Sequence, residues 1–152
     1  MDYLLDTNII IIYARDSELA KKIEEKYQLF TGDNTLIVSV VTLGELKSIE
    51  RQFKYGAKKK AKIKSLLENL LKIDLNIEEI IERYAEIDAF SQGKHDLKKS
   101  NFTSRNMGKN DLWIAATASV YDAILITTDK DFIHLDKEFL QLECIDLEEF
   151  KT

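Results

Sequence analysis

Short apolar runs recur along the chain and are separated by longer stretches with a helical pattern. Residues 3–5, 36–40 and 123–127 are rich in leucine and β-branched side chains, which favour buried strands. A last apolar run at residues 142–147 indicates another strand, and residues 73–75 suit a shorter one. These runs are the predicted strands of the fold.

Helical patterns fill the stretches between the predicted strands. Residues 9–15 begin a helix after a cap at residues 6–8, and residues 57–71 place isoleucine and leucine at helical spacing with lysine at the other positions. A second stripe covers residues 77–93, and a further helix begins at residues 110–111. Strands that alternate with helices predict an α/β fold in which helices flank a mainly parallel central sheet.

The junctions between the predicted elements carry capping and turn residues. Thr42 and Glu45 have the spacing of a capping box, which places a helix start just after the second strand. Residues 128–131 predict a turn after the strand at 123–127. Residues 93–109 are polar, lysine-rich and without periodicity, so we expect a long loop or a flexible lid there.

The composition is that of an ordinary folded domain with a slight acidic excess. Hydrophobic residues make up 45% and charged residues 32% of the chain, which fits a single domain over residues 1–152. The 22 basic and 27 acidic residues give a net charge of -5. This balance excludes a protein that holds nucleic acid by bulk charge alone, so any such contact must be local.

Cysteine and histidine are too few to form a disulfide framework or a usual zinc site. Cys144 is the only cysteine, and His95 and His134 lie far apart in the sequence. Asp2 and Asp6 are wrong for the basic start of a signal peptide, and no run approaches the roughly 18 apolar residues of a membrane span. We expect a cytoplasmic protein without a membrane segment.

Acidic residues occupy the ends of the predicted strands. Asp6 closes the first strand, and Glu45 follows the second by one helical turn. Asp111 opens a late helix, and Asp129 follows the strand at 123–127. Each has a local explanation by itself, as a cap, a first-turn residue or a turn former. Because the carboxyl ends of parallel strands meet at one edge, we expect the four to converge, which is tolerable mainly around a hard cation.

Four short motifs contain these acids. They are LLDTN at residues 4–8, TLGEL at 42–46, GKNDLWIAA at 108–116 and TTDKDF at 127–132. Their content, order and spacing make the chain resemble PIN domains, and among these the VapC-like toxins of bacterial and archaeal toxin–antitoxin pairs. The resemblance extends from residue 3 to about residue 150, and it implies a PIN-like α/β fold.

The resemblance also implies a chemistry, which is hydrolysis of RNA phosphodiester bonds by an endoribonuclease that uses Mg²⁺ or Mn²⁺. The implied catalytic metal ligands are Asp6, Glu45, Asp111 and Asp129, with Asp131 as a fifth carboxylate. Asn8 and Thr127 would support the site. A toxin of this kind would have a cognate antitoxin protein as its partner and would form a homodimer.

Other functions that place acids at strand ends match less well. A haloacid-dehalogenase-like phosphatase needs two aspartates two positions apart after the first strand, but here Asp6 is followed by Asn8. A receiver domain needs paired acids there and a central aspartate for phosphorylation, which the sequence lacks. A housekeeping RNA-processing nuclease of the PIN type and a catalytically silent PIN-fold binding module stay open, although the four acids count against the silent module.

Positive charge is concentrated in two segments. Because the loop at 93–109 leads directly into Asp111, we expect its cations to contact RNA. They are Lys98, Lys99, Arg105 and Lys109. The lysines of residues 54–64 are expected to form a solvated helix face. Trp113 is expected in the core, and His95 is expected to be exposed and without a role.

Overall fold

A computed structural model describes residues 1–15, 17–100 and 102–151 as an α/β fold around one five-stranded sheet. Every strand pair in the sheet is parallel, and the strand order is β3-β2-β1-β4-β5. The strands are β1 (Asp2–Leu5), β2 (Thr35–Ser39), β3 (Leu71–Ile73), β4 (Ile124–Thr127) and β5 (Gln141–Cys144). The predicted α/β class with a mainly parallel sheet is confirmed.

Helices cover both faces of this sheet. The α-helices are α1 (Thr7–Arg15), α2 (Ser17–Tyr27), α3 (Val40–Gln52), α4 (Ala57–Glu68), α5 (Glu78–Ser91) and α6 (Lys109–Val120). Two short 3-10 helices follow at Lys130–Leu135 and Leu147–Phe150. Among the residues described, no helix has the length and apolar character needed to cross a membrane.

Side chains from the two faces of the central strand β1 pack into two separate hydrophobic cores. Successive side chains of a strand point to opposite faces, and both Leu4 and Leu5 are fully buried. Leu5 belongs to a core that includes Ile9 of α1 and Ile63 of α4. Leu4 belongs to the other core, with Ile114 of α6. The sheet is therefore the middle layer of three.

The strand order sets the place of the functional crevice. From β1 the chain moves outward through β2 to β3 and then returns to build β4 and β5 on the other side of β1. In open α/β sheets, ligands bind beyond the carboxyl ends of the strands where the order reverses. Here that point lies beyond the ends of β1 and β4.

Two of the predicted helix caps are wrong. The capping residue of α3 is Ser39, whose Oγ accepts a hydrogen bond from the Val41 amide, while Thr42 lies buried inside the helix. At α6 the cap is Gly108, and Asp111 lies within the first turn. In both cases the helix starts earlier than predicted, because the backbone turns directly after β2 and directly after the preceding loop.

Several predicted element ends also shift. The helix predicted to reach residue 71 ends at Glu68, and the third strand is Leu71–Ile73 rather than residues 73–75. The reason is pairing with β2, which sets Leu71 beside Ile37. The last strand ends at Cys144, and the predicted turn at 128–131 leads into the first 3-10 helix.

Candidate functional site

Asp6 is the most strongly fixed carboxylate at the end of β1. Its amide donates to the Ile126 carbonyl of β4 at 3.0 Å, which ties the end of one strand to the other. Its Oδ1 accepts from the Thr7 amide at 2.8 Å, and its Oδ2 accepts from the Thr127 hydroxyl at 2.6 Å. Burial raises the pKa of Asp6, although these two hydrogen bonds act in the opposite direction.

Glu45 reaches the same edge from α3. The Thr7 hydroxyl donates to Glu45 Oε1 at 2.7 Å and lies 3.0 Å from the hydroxyl oxygen of Thr42. Thr7 and Thr42 are both buried, so this contact fixes Glu45 against the start of α1. Thr7 was not among the predicted site residues. Its position beside Asp6 at a strand end was the signal that pointed to it.

Asp111 shows how closely the carboxylates approach one another. Burial, followed by the charges of the other four acids, raises the pKa of Asp111 from 3.8 to about 7. Those four are Asp6, Asp129, Glu45 and Asp131. One carboxylate oxygen of Asp111 lies within 4.8 Å of such oxygens on both Asp129 and Asp131. Asp111, Asp129 and Asp131 are therefore close enough to share an ion, and Asp6 and Glu45 lie near enough for their charges to act on Asp111.

Thr127, at the end of β4, connects the two sides of the cluster. Its hydroxyl donates to Asp6 and accepts from the Asp129 amide at 3.0 Å. Asp129 caps the following 3-10 helix, with its Oδ1 accepting from the Asp131 amide at 2.9 Å. Asn8 Nδ2 lies 3.5 Å from the Thr127 hydroxyl oxygen. Both predicted supporting residues thus lie beside the acids.

The donor set of this cluster suits a hard divalent cation. Carboxylate oxygens are the ligands that Mg²⁺ and Mn²⁺ prefer, whereas zinc sites usually contain histidine or cysteine. The group of described residues close enough to share an ion consists of Asp111, Asp129 and Asp131. Burial, and after it repulsion from the neighbouring acids, raises the pKa of Asp111, and a bound cation would relieve that repulsion. The residues therefore fit Mg²⁺ or Mn²⁺.

A family model for the PIN domain matches residues 3–138, which include all five carboxylates. The chain belongs to the PIN domain family. A comparison with curated protein sequences gives no significant match.

Solved structures similar to this PIN domain come from VapBC complexes. VapBC2 from Rickettsia felis, bound to a DNA fragment from its promoter, has a TM-score of 0.71 and 25% identity over 96% of this chain and 100% of that one. VapBC-1 from nontypeable Haemophilus influenzae has a TM-score of 0.63 and 28% identity over 95% and 98%. VapBC-5 from Mycobacterium tuberculosis, from a family of toxin–antitoxin systems, has a TM-score of 0.60 and 23% identity over 95% and 97%. The last supports the fold alone.

The predicted RNA-binding cations of this PIN domain lie in different surroundings. Lys98 Nζ lies 3.5 Å from Glu138 Oε2 and 5.4 Å from the centre of the Phe139 ring. Lys99 and Lys109 are exposed. Arg105 lines a cleft that it shares with Asp131 of the acidic cluster. Of the four, Arg105 is therefore the cation placed beside the carboxylates.

His95 and Trp113, which were predicted to lie outside the functional site, both pack against other parts of the protein. The His95 side chain is only 9% exposed, and its Nδ1 accepts from the amides of Leu97 and Lys98, so the prediction of an exposed side chain is wrong. The amides that follow it in the loop hold the ring in place. Trp113 packs against Tyr84, with ring centres 4.2 Å apart, beside the core that contains α6, as expected.

Proposed function

We propose that this PIN domain is an endoribonuclease that hydrolyses RNA phosphodiester bonds with Mg²⁺ or Mn²⁺. The proposed metal ligands and catalytic residues are Asp6, Glu45, Asp111 and Asp129, with Asp131 at the edge of the site. The observation that carries the proposal is the convergence of five carboxylates around Asp111, whose pKa is raised to about 7 by burial and then by the charges of the other four. Repulsion within such a cluster lowers the stability of the folded protein unless a bound cation offsets it, so a cluster of this kind indicates a functional site.

The protein's own groups set the geometry of the proposed site. Hydrogen bonds from the Thr7 amide and the Thr127 hydroxyl occupy one lone pair on each Asp6 oxygen, which leaves the others free to bind an ion. The Thr7 hydroxyl holds Oε1 of Glu45 in the same way. A bound divalent ion would supply Lewis-acid chemistry, by acidifying water and neutralising charge on the phosphate. No nucleophilic side chain is then required.

RNA contacts are assigned to the cations of the loop before α6. The net charge of -5 and the acidic site both repel phosphate, so local positive charge must offset them. The proposed contacts are Lys98, Lys99, Arg105 and Lys109. Three of these are exposed, and Lys98 forms an ion pair with Glu138.

We further propose that the chain is the toxin of a toxin–antitoxin pair. Support comes from the VapBC complexes at 25% and 28% identity, which this chain covers almost end to end. A cognate antitoxin would inhibit it by placing an Arg or Lys among the carboxylates, where the negative potential is greatest. A homodimer in the cytoplasm is the proposed working form.

RNA cleavage with and without metal tests the proposed function. Purified protein should cleave single-stranded RNA in Mg²⁺ or Mn²⁺ and stop in excess EDTA. Asp6→Asn and Asp111→Asn should abolish cleavage while the protein stays folded. Asp33→Asn, at an exposed position, is a matched control that should cleave normally. Cleavage that persists in EDTA, or in both site variants at saturating metal, would contradict the assignment.

A further inference from the structure

A cleft of about 270 Å³ opens beside the acidic cluster. One wall is the end of the loop before α6, and the other is the first 3-10 helix. The lining residues are Arg105, Asn106, Met107, Gly108 and Asp131. Because Asp131 also belongs to the carboxylate cluster, a group bound in the cleft lies directly beside the proposed site of phosphodiester cleavage.

Ser91, at the end of α5, ties the two walls together. It is fully buried, and its carbonyl accepts from the Arg105 amide at 2.6 Å. Its hydroxyl oxygen lies 3.2 Å from the Met107 sulfur on the loop wall and 2.8 Å from His134 Nε2 on the helix wall. Both walls are therefore positioned by contacts to one buried residue.

Further contacts fasten the loop just before the cleft. The Ser104 hydroxyl donates to the Gln92 carbonyl at 2.9 Å. The Phe102 ring packs against Phe90 and His134, with ring centres 5.3 and 5.1 Å away. The residues on either side of Arg105 and Asn106 are thus held in place, while these two side chains line the opening.

Arg105 has a charge that its surroundings leave unpaired. Within residues 1–15, 17–100 and 102–151, its guanidinium forms no ion pair and no side-chain hydrogen bond. Lys98 of the same loop, by contrast, is close to Glu138. An unpaired guanidinium presents five N–H donors in a planar fork, which suits bidentate recognition of a planar acceptor edge.

The mixed character of the cleft favours a base over a phosphate. The Asp131 carboxylate in the wall of the cleft repels phosphate oxygens. A neutral base can instead accept hydrogen bonds from Arg105 while another of its edges faces Asp131. Arg is the commonest partner of the O6 and N7 acceptors of guanine, and bases of single-stranded RNA are read along such edges. We propose that the cleft binds the base next to the cleaved bond and selects guanine through Arg105, with Asn106 as a second donor.

This inference rests on the proposed function, and cleavage of a randomised RNA pool followed by sequencing of the products tests it. The parent should enrich guanine at one position beside the cleaved bond by about fivefold or more. Arg105→Ala and Arg105→Lys should both lose this preference, because lysine keeps the charge but not the fork. Lys94→Ala removes an exposed cation from the same loop outside the cleft, and it should keep the preference.

A binding measurement separates this inference from the proposed function. Short oligonucleotides with guanine or adenine at the selected position are titrated against non-cleaving Asp111→Asn protein in Mg²⁺, with and without Arg105→Ala. If the parent cleaves RNA without base preference, the inference is wrong while the proposed nuclease activity stands. The same holds if Arg105→Ala weakens binding of all sequences equally, which would make Arg105 a phosphate contact. If the parent does not cleave, the proposed function fails, and guanine-selective binding lost in Arg105→Ala still supports the cleft. Equal binding of the guanine and adenine oligonucleotides would overturn the proposal that the cleft selects guanine.

Discussion

Replacing Asp111 with Asn removes one negative charge from five converging carboxylates and leaves the side chain almost the same size. The folded-state pKa of Asp111 is about 7, against 3.8 for an unperturbed aspartate. Between these two pH values the folded protein binds more protons than the unfolded chain, so stability falls as the pH rises. Above about pH 7 the whole penalty is present, and Asp111→Asn should remove it.

The size of this gain follows from the same pKa. A rise from 3.8 to about 7 corresponds to about 4 kcal/mol at about 1.4 kcal/mol per pH unit. Asp111 is only partly buried, and solvent screening reduces such energies, so about 2 kcal/mol is a realistic gain for the metal-free protein. In a chain of 152 residues this raises the melting temperature by about 4 to 8 °C.

Urea or thermal unfolding in EDTA measures the effect. At pH 8 the Asp111→Asn variant should be the more stable protein, and its advantage should shrink steadily as the pH falls from 7 to 4. Glu79→Gln is a matched control, because Glu79 also lies in the first turn of a helix, α5, but is exposed. Losing its favourable interaction with the helix dipole should slightly lower stability at pH 8.

Saturating Mg²⁺ should reverse the order of the two proteins, because an ion that binds only the folded parent stabilises it by mass action. An Asp111→Asn variant no more stable than the parent at pH 8 in EDTA would show that the Asp111 charge does not oppose folding. A gain that stays the same between pH 8 and pH 4 would show that the gain does not come from the ionisation of Asp111.

Three further changes test other parts of the structure. Ser39→Ala should lower the free energy of unfolding by about 1 kcal/mol through loss of the α3 cap, whereas an unchanged urea midpoint would contradict that assignment. Thr7→Val leaves Glu45 without its hydroxyl donor, and calorimetry should then show weaker Mn²⁺ binding, while unchanged affinity would mean that this contact does not position Glu45. Replacing the three loop lysines that do not line the cleft with alanine should weaken RNA binding evenly and flatten its salt dependence in fluorescence anisotropy, and an unchanged salt slope would place RNA on another face. These lysines are Lys98, Lys99 and Lys109.

The parallel sheet and the convergence of the acidic residues could both be predicted from the sequence, because both depend on where the strands end. Apolar runs ending in Asp6 and Thr127 lie side by side once β1 and β4 pair in parallel, and Glu45 follows from the next strand along the chain. The helix caps were harder to predict, because Ser39 and Thr42 are both good capping residues. Only the point where β2 leaves the sheet decides between them.

The cleft beside Asp131 depends on contacts that no local pattern contains. Ser91 and His134 are 43 positions apart in the sequence, and the loop joining α5 to α6 has no periodicity from which its path can be predicted. The burial of His95 could not be predicted for the same reason, since a polar segment gives no sign that the distant Phe139 ring packs against this side chain. Arg105 was named as a cation, but its place opposite Asp131 follows only from the tertiary contacts of Ser91.

The most direct test of the metal site is diffraction from crystals soaked in Mn²⁺, recorded at a wavelength where manganese scatters anomalously. We expect an anomalous difference peak among the carboxylates of Asp6, Glu45, Asp111 and Asp129, with ligand distances near 2.1 Å, roughly those of a hard divalent ion. The peak should be absent from Asp111→Asn crystals or much weaker there. A parent crystal with no peak at this cluster, or with its strongest peak elsewhere on the protein, would contradict the assignment of these residues as a metal centre.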